Sequence, residues 1–349
     1  MKNIYSLVVS MALLGFSEQA AAQEVLTDSA QAVRAQTDPK ELANPSVVGM
    51  GRSKGVVVRY EMLPRFGLRS EGKRSDIGNA EADVRRNNKF EIKAYAPIIN
   101  RPHLKMVFGV GYFLEEFNFK QPEGLEYPLY KQLQDKDLRS LDAQLITLKP
   151  FNEKNFLLVR LKGELNGDYG KYSNLSFDKY LKTSVEAIYG WKKSPFFAYG
   201  FGVQLGYTFG RQSIYPAILY NRTFNDRWGI ESIFPANLTV RRNLSEKSLL
   251  FAGYKVEGAS YNITVSPPFM LNETVELRKS EIRARLRWER EIYDFIWFGM
   301  EGGYRYNHRF DVYDGEDVNS DPLIKSHIKD AAFLQFDLFL VPPKRFLKQ

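Results

Sequence analysis

Six charged residues stand on alternate positions near the C-terminal third of the chain: Lys279, Glu281, Arg283, Arg285, Arg287 and Glu289. Between them lie Ile282, Ala284, Leu286 and Trp288. A helix would spread those charges around its whole circumference. Only an extended strand puts them in single file on one face and the apolar residues on the other. A file of this length needs a polar space on one side and an apolar medium on the other, which already excludes most folds.

The same period of two recurs from residue 55 onward. Val57, Arg59, Glu61, Arg65 and Arg69 oppose Val58, Tyr60, Met62, Phe66 and Leu68. Arg160, Lys162 and Glu164 oppose Leu157, Val159, Leu161 and Leu165. Glu301, Arg305, Asn307 and Arg309 oppose Phe298, Met300, Tyr304 and Tyr306. A soluble sandwich also alternates. Here the stretches are long compared with the roughly 5–6 residues of a soluble strand, and aromatic residues gather towards their ends. Connections alternate between tight turns and long polar loops. The turns fall near Asn100-Arg101-Pro102, Asn152-Glu153, Lys193-Ser194-Pro195 and Tyr293-Asp294; the loops are expected over 70–86, 120–137, 166–179, 258–277 and 310–327. These features predict an all-β fold, a transmembrane antiparallel up-and-down β-barrel. Its strand number is twelve or fourteen: even in either case, the choice turning on whether 227–242 is a loop excursion or a short hairpin broken at Pro235.

Composition sharpens the class. There is no cysteine, so disulfides, thiolate metal sites and cysteine nucleophiles are excluded, and only three histidines stand against a His-rich metal enzyme. Mean hydropathy is −0.37, and no long apolar run follows the N-terminus, which excludes a helical membrane protein. At the N-terminus, Lys2, the apolar stretch Ile4 to Phe16 and Ala20-Ala21-Ala22 read as a signal peptide over residues 1–22. Residues 23–54 then form a polar periplasmic N-terminal segment, and 55–349 the barrel. The expected location is the cell outer membrane.

Several stretches carry a likeness: Tyr95-Ala96-Pro97-Ile98, Phe108-Gly109-Val110-Gly111-Tyr112, Arg227-Trp228-Gly229-Ile230 followed by Phe234-Pro235, and Phe251-Ala252-Gly253-Tyr254. Over residues 55 to 341 the chain resembles the uncharacterised outer-membrane β-barrel families, domains of unknown function, of Gram-negative bacteria. The resemblance implies a location and a fold, with outer-membrane lipid and the barrel-assembly machinery as partners, and names no substrate.

The polar face defines the candidate site. The residues expected to line the lumen are Arg59, Glu61, Arg65, Arg160, Lys162, Glu164, Lys279, Glu281, Arg283, Arg285, Arg287, Glu289, Glu301, Arg305 and Arg309. Cations outnumber anions on this face. One reading is a channel or small-solute, porin-like path with weak anion preference. The alternative is a closed structural or interaction barrel whose lumen is filled with ion pairs, since isolated buried charges are costly. A third, weaker reading is an outer-membrane hydrolase built on His308 and Ser326-His327, without any G-x-S-x-G elbow. The expectation is therefore no enzyme, no cofactor and no metal. The acidic stretch from Asp311 to Asp321 lacks the spacing of a calcium loop and reads as a solvated loop. Positive charge is spread along strand faces, which argues against nucleic acid and leaves small anionic solutes as candidate ligands.

Overall fold

The structure is a computed structural model, and it describes residues 42–122, 125–170, 175–265, 274–315 and 320–341. The leader expected over 1–22, the first part of the N-terminal segment and residues 342–349 lie outside the described residues.

Sixteen strand segments are joined in one sheet: β1 Val56–Leu63, β2 Phe66–Gly72, β3 Asn79–Arg101, β4 Leu104–Phe119, β5 Leu138–Pro150, β6 Asn155–Gly167, β7 Leu181–Ser194 and β8 Phe197–Gly206, then β9 Ser213–Thr223, β10 Trp228–Phe234, β11 Asn237–Ser245, β12 Ser248–Thr264, β13 Thr274–Tyr293, β14 Ile296–Tyr313, β15 Ile324–Ile328 and β16 Ala331–Leu340. Both β1 and β2 pair with β3, and both β15 and β16 pair with β14. Each couple is thus one strand interrupted once, at Pro64-Arg65 and at Lys329-Asp330. The first strand pairs with the last through Val56 to Leu340 and Ile328 to Leu68. The result is a closed antiparallel barrel of fourteen strands. Closure gives each of the fourteen strands a neighbour on both sides, which is what a strand protein needs in hydrocarbon.

The hairpin over 227–242 decides between twelve and fourteen: β10 and β11 are real strands turning at Pro235-Ala236. Two expected loops prove shorter than the sequence suggests. Over 70–86 the strands continue, β2 to Gly72 and β3 from Asn79. Over 258–277, β12 runs on to Thr264 and β13 begins at Thr274. The loop over 120–137 contains a helix, α1 Pro128–Asp135, and a single turn, α2 Phe177–Tyr180, precedes β7.

The outer face carries an apolar belt. Tyr60, Ile92, Phe108, Val110, Leu286 and Leu338 are exposed on it. Towards the tight turns the belt ends in packed rings: Tyr189 edge-on to Trp191 (5.0 Å between centroids), Trp191 stacked on Tyr199 (5.4 Å) and Phe197 edge-on to Tyr220 (5.3 Å). Amphipathic rings at this level mark the rim of a membrane barrel.

Inside, the two ends are filled differently. At the long-loop end an apolar cluster unites Leu63, Phe66, Leu68, Phe117, Phe310 and Phe333 with Leu129, Tyr130 and Leu133 of α1. Pro128 opens α1 where an N–H would be unbonded in any case. The apolar face of α1 is driven inward because the upper strands present apolar side chains there. The Tyr130 hydroxyl donates a shared bond to the carbonyls of Leu68 (3.0 Å) and Ala80 (2.9 Å). Nearby, β10 and β11 are short, so β12 loses its partner beyond Lys255 and Val256. Its upper half meets β6 instead, Asn262 opposite Gly167, while Thr264 N–H donates to Asp168 at 2.8 Å. The mouth is drawn in at this seam.

Candidate functional site

Residues 42–54 enter the barrel at the tight-turn end and lie along its inner wall. Ala43 N–H donates to the Asn152 carbonyl and Val48 N–H to the Pro195 carbonyl, both at 3.0 Å. The Asn221 amide donates to the Pro45 carbonyl (2.8 Å), the Thr223 hydroxyl to the Val48 carbonyl (2.6 Å) and Gly51 N–H to Glu231 (2.9 Å). Lys54 ends the segment on Glu289 at 2.6 Å and over the ring of Phe339. Ala43 packs with Phe156, Ile188 and Leu219. The segment therefore stands across this end of the lumen.

Between segment and apolar cluster runs a network of charges. Arg283 on β13 pairs with Glu61 on β1 and with Glu257 at 2.8 Å. Glu281 draws Lys89 (3.0 Å) and Arg305 (3.5 Å). Lys279 pairs with Glu115. Arg285 reaches Glu301 at 3.1 Å, and Arg287 holds Glu289 (2.7 Å), Glu301 (3.4 Å) and Asp337. Arg59 bridges Glu91 and Asp337, the latter at 2.9 Å. Most of these side chains are buried, and mixed signs at this spacing let them stay charged away from water. Elsewhere on the wall, Arg160 pairs with Glu186 at 3.4 Å and Lys162 with Glu164 at 2.5 Å.

Two of the expected lining residues, Arg65 and Arg309, are placed otherwise. Arg65 is exposed on the outer face, paired with Asp83, and Arg69 is exposed beside it. Conversely Phe66 and Leu68, expected outside, are buried in the apolar cluster. The break at Pro64 shifts the strand by one residue, and a shift of one exchanges the two faces. Arg309 follows the same logic. The ladder between β13 and β14 slips at His308, so that Phe310 and Val312 take the inner face and Arg309 lies opposite them, 4.0 Å from Asp311. Periodicity did not single out Lys89 or Glu115, although Lys89 continues the file Lys93, Glu91 on its strand. Nothing in the sequence marked Lys54 or Arg241. Arg241 is completely buried against Glu231 (2.9 Å) and becomes part of the site only because the N-terminal segment folds back onto it.

The network does not fill the lumen. Along β3 to β8 and the inner edge of β12 a cavity of about 550 Å³ remains, bordered by Lys54, Lys93, Arg160, Lys162 and Lys255 together with Glu164, Glu186 and Glu257. Tyr95, Gln144, Gln204 and Thr208 add neutral hydrogen-bonding groups. As for the histidines, Ser326 turns inward to Ser70 (2.7 Å between hydroxyls), while His308 and His327 are exposed and His103 lies in a tight turn at the other end.

Residues 126–316, more than half of the chain, match the family model described as a domain of unknown function, DUF6268. The chain belongs to this family. No curated protein matches it. Among solved structures it is similar to an outer membrane channel of Pseudomonas putida F1, at 11% identity over 87% of this chain and 100% of that one, with a TM-score of 0.39. It is likewise similar to a FadL homologue of Pseudomonas aeruginosa, at 9% identity over 94% and 100% with a TM-score of 0.39, and to the toluene transporter TodX of Pseudomonas putida, at 9% identity over 83% and 90% with a TM-score of 0.31. The DUF6268 match spans α1, the charge file on β13 and all of β14, so the family region contains most of the interior network.

Proposed function

We propose that this DUF6268 protein is an outer-membrane barrel that passes small anionic solutes through its cation-bordered chamber, with residues 42–54 as a displaceable plug. On this reading the tight turns face the periplasm and the long loops the exterior, the usual arrangement for such barrels. The observation that carries the reading is how the segment is held. Its contacts with Asn221, Thr223, Glu231 and Glu289 are polar bonds that water can replace, whereas α1 at the other end sits in an apolar cluster. A net neutral bond of this kind is worth about 0.5–1.5 kcal/mol and one to a charged partner such as Glu231 or Glu289 about 1.5–3 kcal/mol, each exchangeable for water.

The second reading is a closed structural barrel. The ion pairing of Arg283, Arg285 and Arg287 favours it, because paired charges attract no solute. Planar-bilayer recording separates the two. The chain contains no cysteine, so Val48→Cys with Thr223→Cys allows the plug to be locked by oxidation. Small, weakly anion-selective conductance that stops on oxidation and returns on reduction supports the plugged channel. Absence of conductance in both states leaves the closed barrel.

A further inference from the structure

The wall of the barrel is pierced where β1 gives way to β2. Pro64 breaks the ladder there, and on the partner strand the pairing to β1 and β2 skips from Ile328, opposite Leu68, to Leu334, opposite Met62. A cavity of about 940 Å³ opens through this gap. Its outer lip is formed by Met62 and Leu334 of the apolar belt; its depth is Leu63, Phe119 and Phe333, which face the interior cluster around α1. Between lip and depth the slot is largely apolar, with Asn118 and Gln134 as its neutral polar lining.

Its rim is cationic. Arg65, Arg85, Arg86 and Lys120 border the cavity, and among the described residues no carboxylate does. Arg65 is shared with Asp83, while Arg85, Arg86 and Lys120 have no ion pair among the described residues. Arg85 and Arg86 are both exposed, which regular alternation forbids for neighbours; the β3–β4 ladder has an extra residue between Val84 and Arg86. Such a bulge re-aims side chains, and here it brings two guanidinium groups to one opening. The height of the opening is also telling. Below it the outer face is apolar, with Tyr60, Ile92 and Val110; at and above it stand the half-buried Glu116 and Asn118. The window therefore lies at the level where a membrane's head groups meet its acyl chains, on the long-loop side.

We propose that this window is a binding site for a phosphate-bearing acylated lipid of the surrounding membrane. The head group is held by Arg65, Arg85, Arg86 and Lys120, and an acyl chain enters the slot behind Pro64. Guanidinium groups match phosphate oxygens in a two-bond fork, and an apolar slot beside them selects an amphiphile over a free ion. This site is independent of the chamber and its plug.

The test uses the full chain, purified in maltoside micelles, with native mass spectrometry as readout. Diphosphoryl lipid A is the main probe, with laurate and inorganic phosphate as the alternatives. The expected result is one lipid A retained per barrel. Arg85→Gln with Arg86→Gln should weaken retention by about tenfold or more, the loss of one or two charge-assisted bonds. Ala332→Trp, at an exposed position on the lip, should block the slot with the charges intact and weaken retention similarly. Both variants should keep heat-modifiable migration, which certifies the fold. Equal retention by wild type and both variants overturns the proposal. So does displacement of the lipid by millimolar phosphate, which marks a simple anion site, or preferential retention of laurate, which marks a free fatty acid site.

Discussion

Arg283 on β13 and Glu61 on β1 form an ion pair across the interior, although two strands of the wall, β14 and the β15–β16 strand, separate them. Both side chains are almost fully buried. Glu61 also receives Lys89 at 3.2 Å, and Arg283 also holds Glu257 and stacks on the ring of Phe333. The pair ties the first part of the barrel to the last independently of the ladder. Removing one partner leaves a buried charge uncompensated. Glu61→Ala is therefore expected to lower stability by about 3–5 kcal/mol, read as the urea midpoint of the folded band on unboiled gels. Combining Glu61→Leu with Arg283→Met should recover a large part of the loss. A double variant weaker than either single one would show that the pair itself stabilises.

The face assignment on β13 predicts an asymmetry. Leu286 is exposed on the outer belt, and Arg285 faces Glu301 and Thr239 inside. An arginine at 286 stands in hydrocarbon and costs roughly 2–4 kcal/mol near the midplane. Leu286→Arg should therefore assemble poorly into lipid vesicles. Arg285→Leu should assemble close to normally, since Arg287 still serves Glu301. Equal assembly yields would contradict the placement.

Lys54 gives a pH dependence. Burial pulls its ammonium down to about 8 from 10.5, against the attraction of Glu289 and Asp337, with Arg287 adding repulsion. The unfolded chain thus keeps this proton to higher pH than the folded one. Between about 8 and 10.5 the unfolded state binds more protons, so this group's contribution to stability rises with pH across that window. The penalty is present in full below about 8 and amounts to at most about 3 kcal/mol. Urea midpoints measured from neutral pH to the end of the window should climb less steeply in Lys54→Met than in wild type. Parallel profiles would exclude Lys54 as the source.

Gly258 lies under the loop that covers the shortened wall. A Cβ on it would meet the backbone of Tyr207, Thr208 and Gly210. Backbone cannot swing aside as a side chain can, so Gly258→Val should lift residues 207–212 from β12 and make them the first site of limited proteolysis, with the barrel still heat-modifiable. An unchanged cleavage pattern would mean the seam accommodates the methyl groups.

Period-two alternation is a property of the extended backbone itself, and so the sequence could announce strands, their inner and outer faces along β6 and β13, and the rhythm of tight turns and long loops. Arg283, Arg285 and Arg287 are inside for that reason alone. The short hairpin at Pro235 was ambiguous because each of its strands is barely long enough to show a period. Where one residue is inserted, local reading fails. Pro64, Arg85 and His308 each break phase, and beyond them the faces of Arg65, Phe66 and Arg309 follow the register of the neighbouring strand.

What the sequence determined by itself was the strand content, the amphipathic wall and the surplus of cations on its polar face, because these depend only on the order of side chains along an extended chain. What only the tertiary structure decided was what those cations meet. The pairing of Arg283 with Glu61, the return of residues 42–54 onto Arg241 and Glu231, the entry of α1 into the mouth and the seam between Asn262 and Gly167 join residues far apart in the chain. Such contacts exist only once the ring has closed, since closure fixes which strands stand opposite each other across the lumen and how much space the charges leave between them.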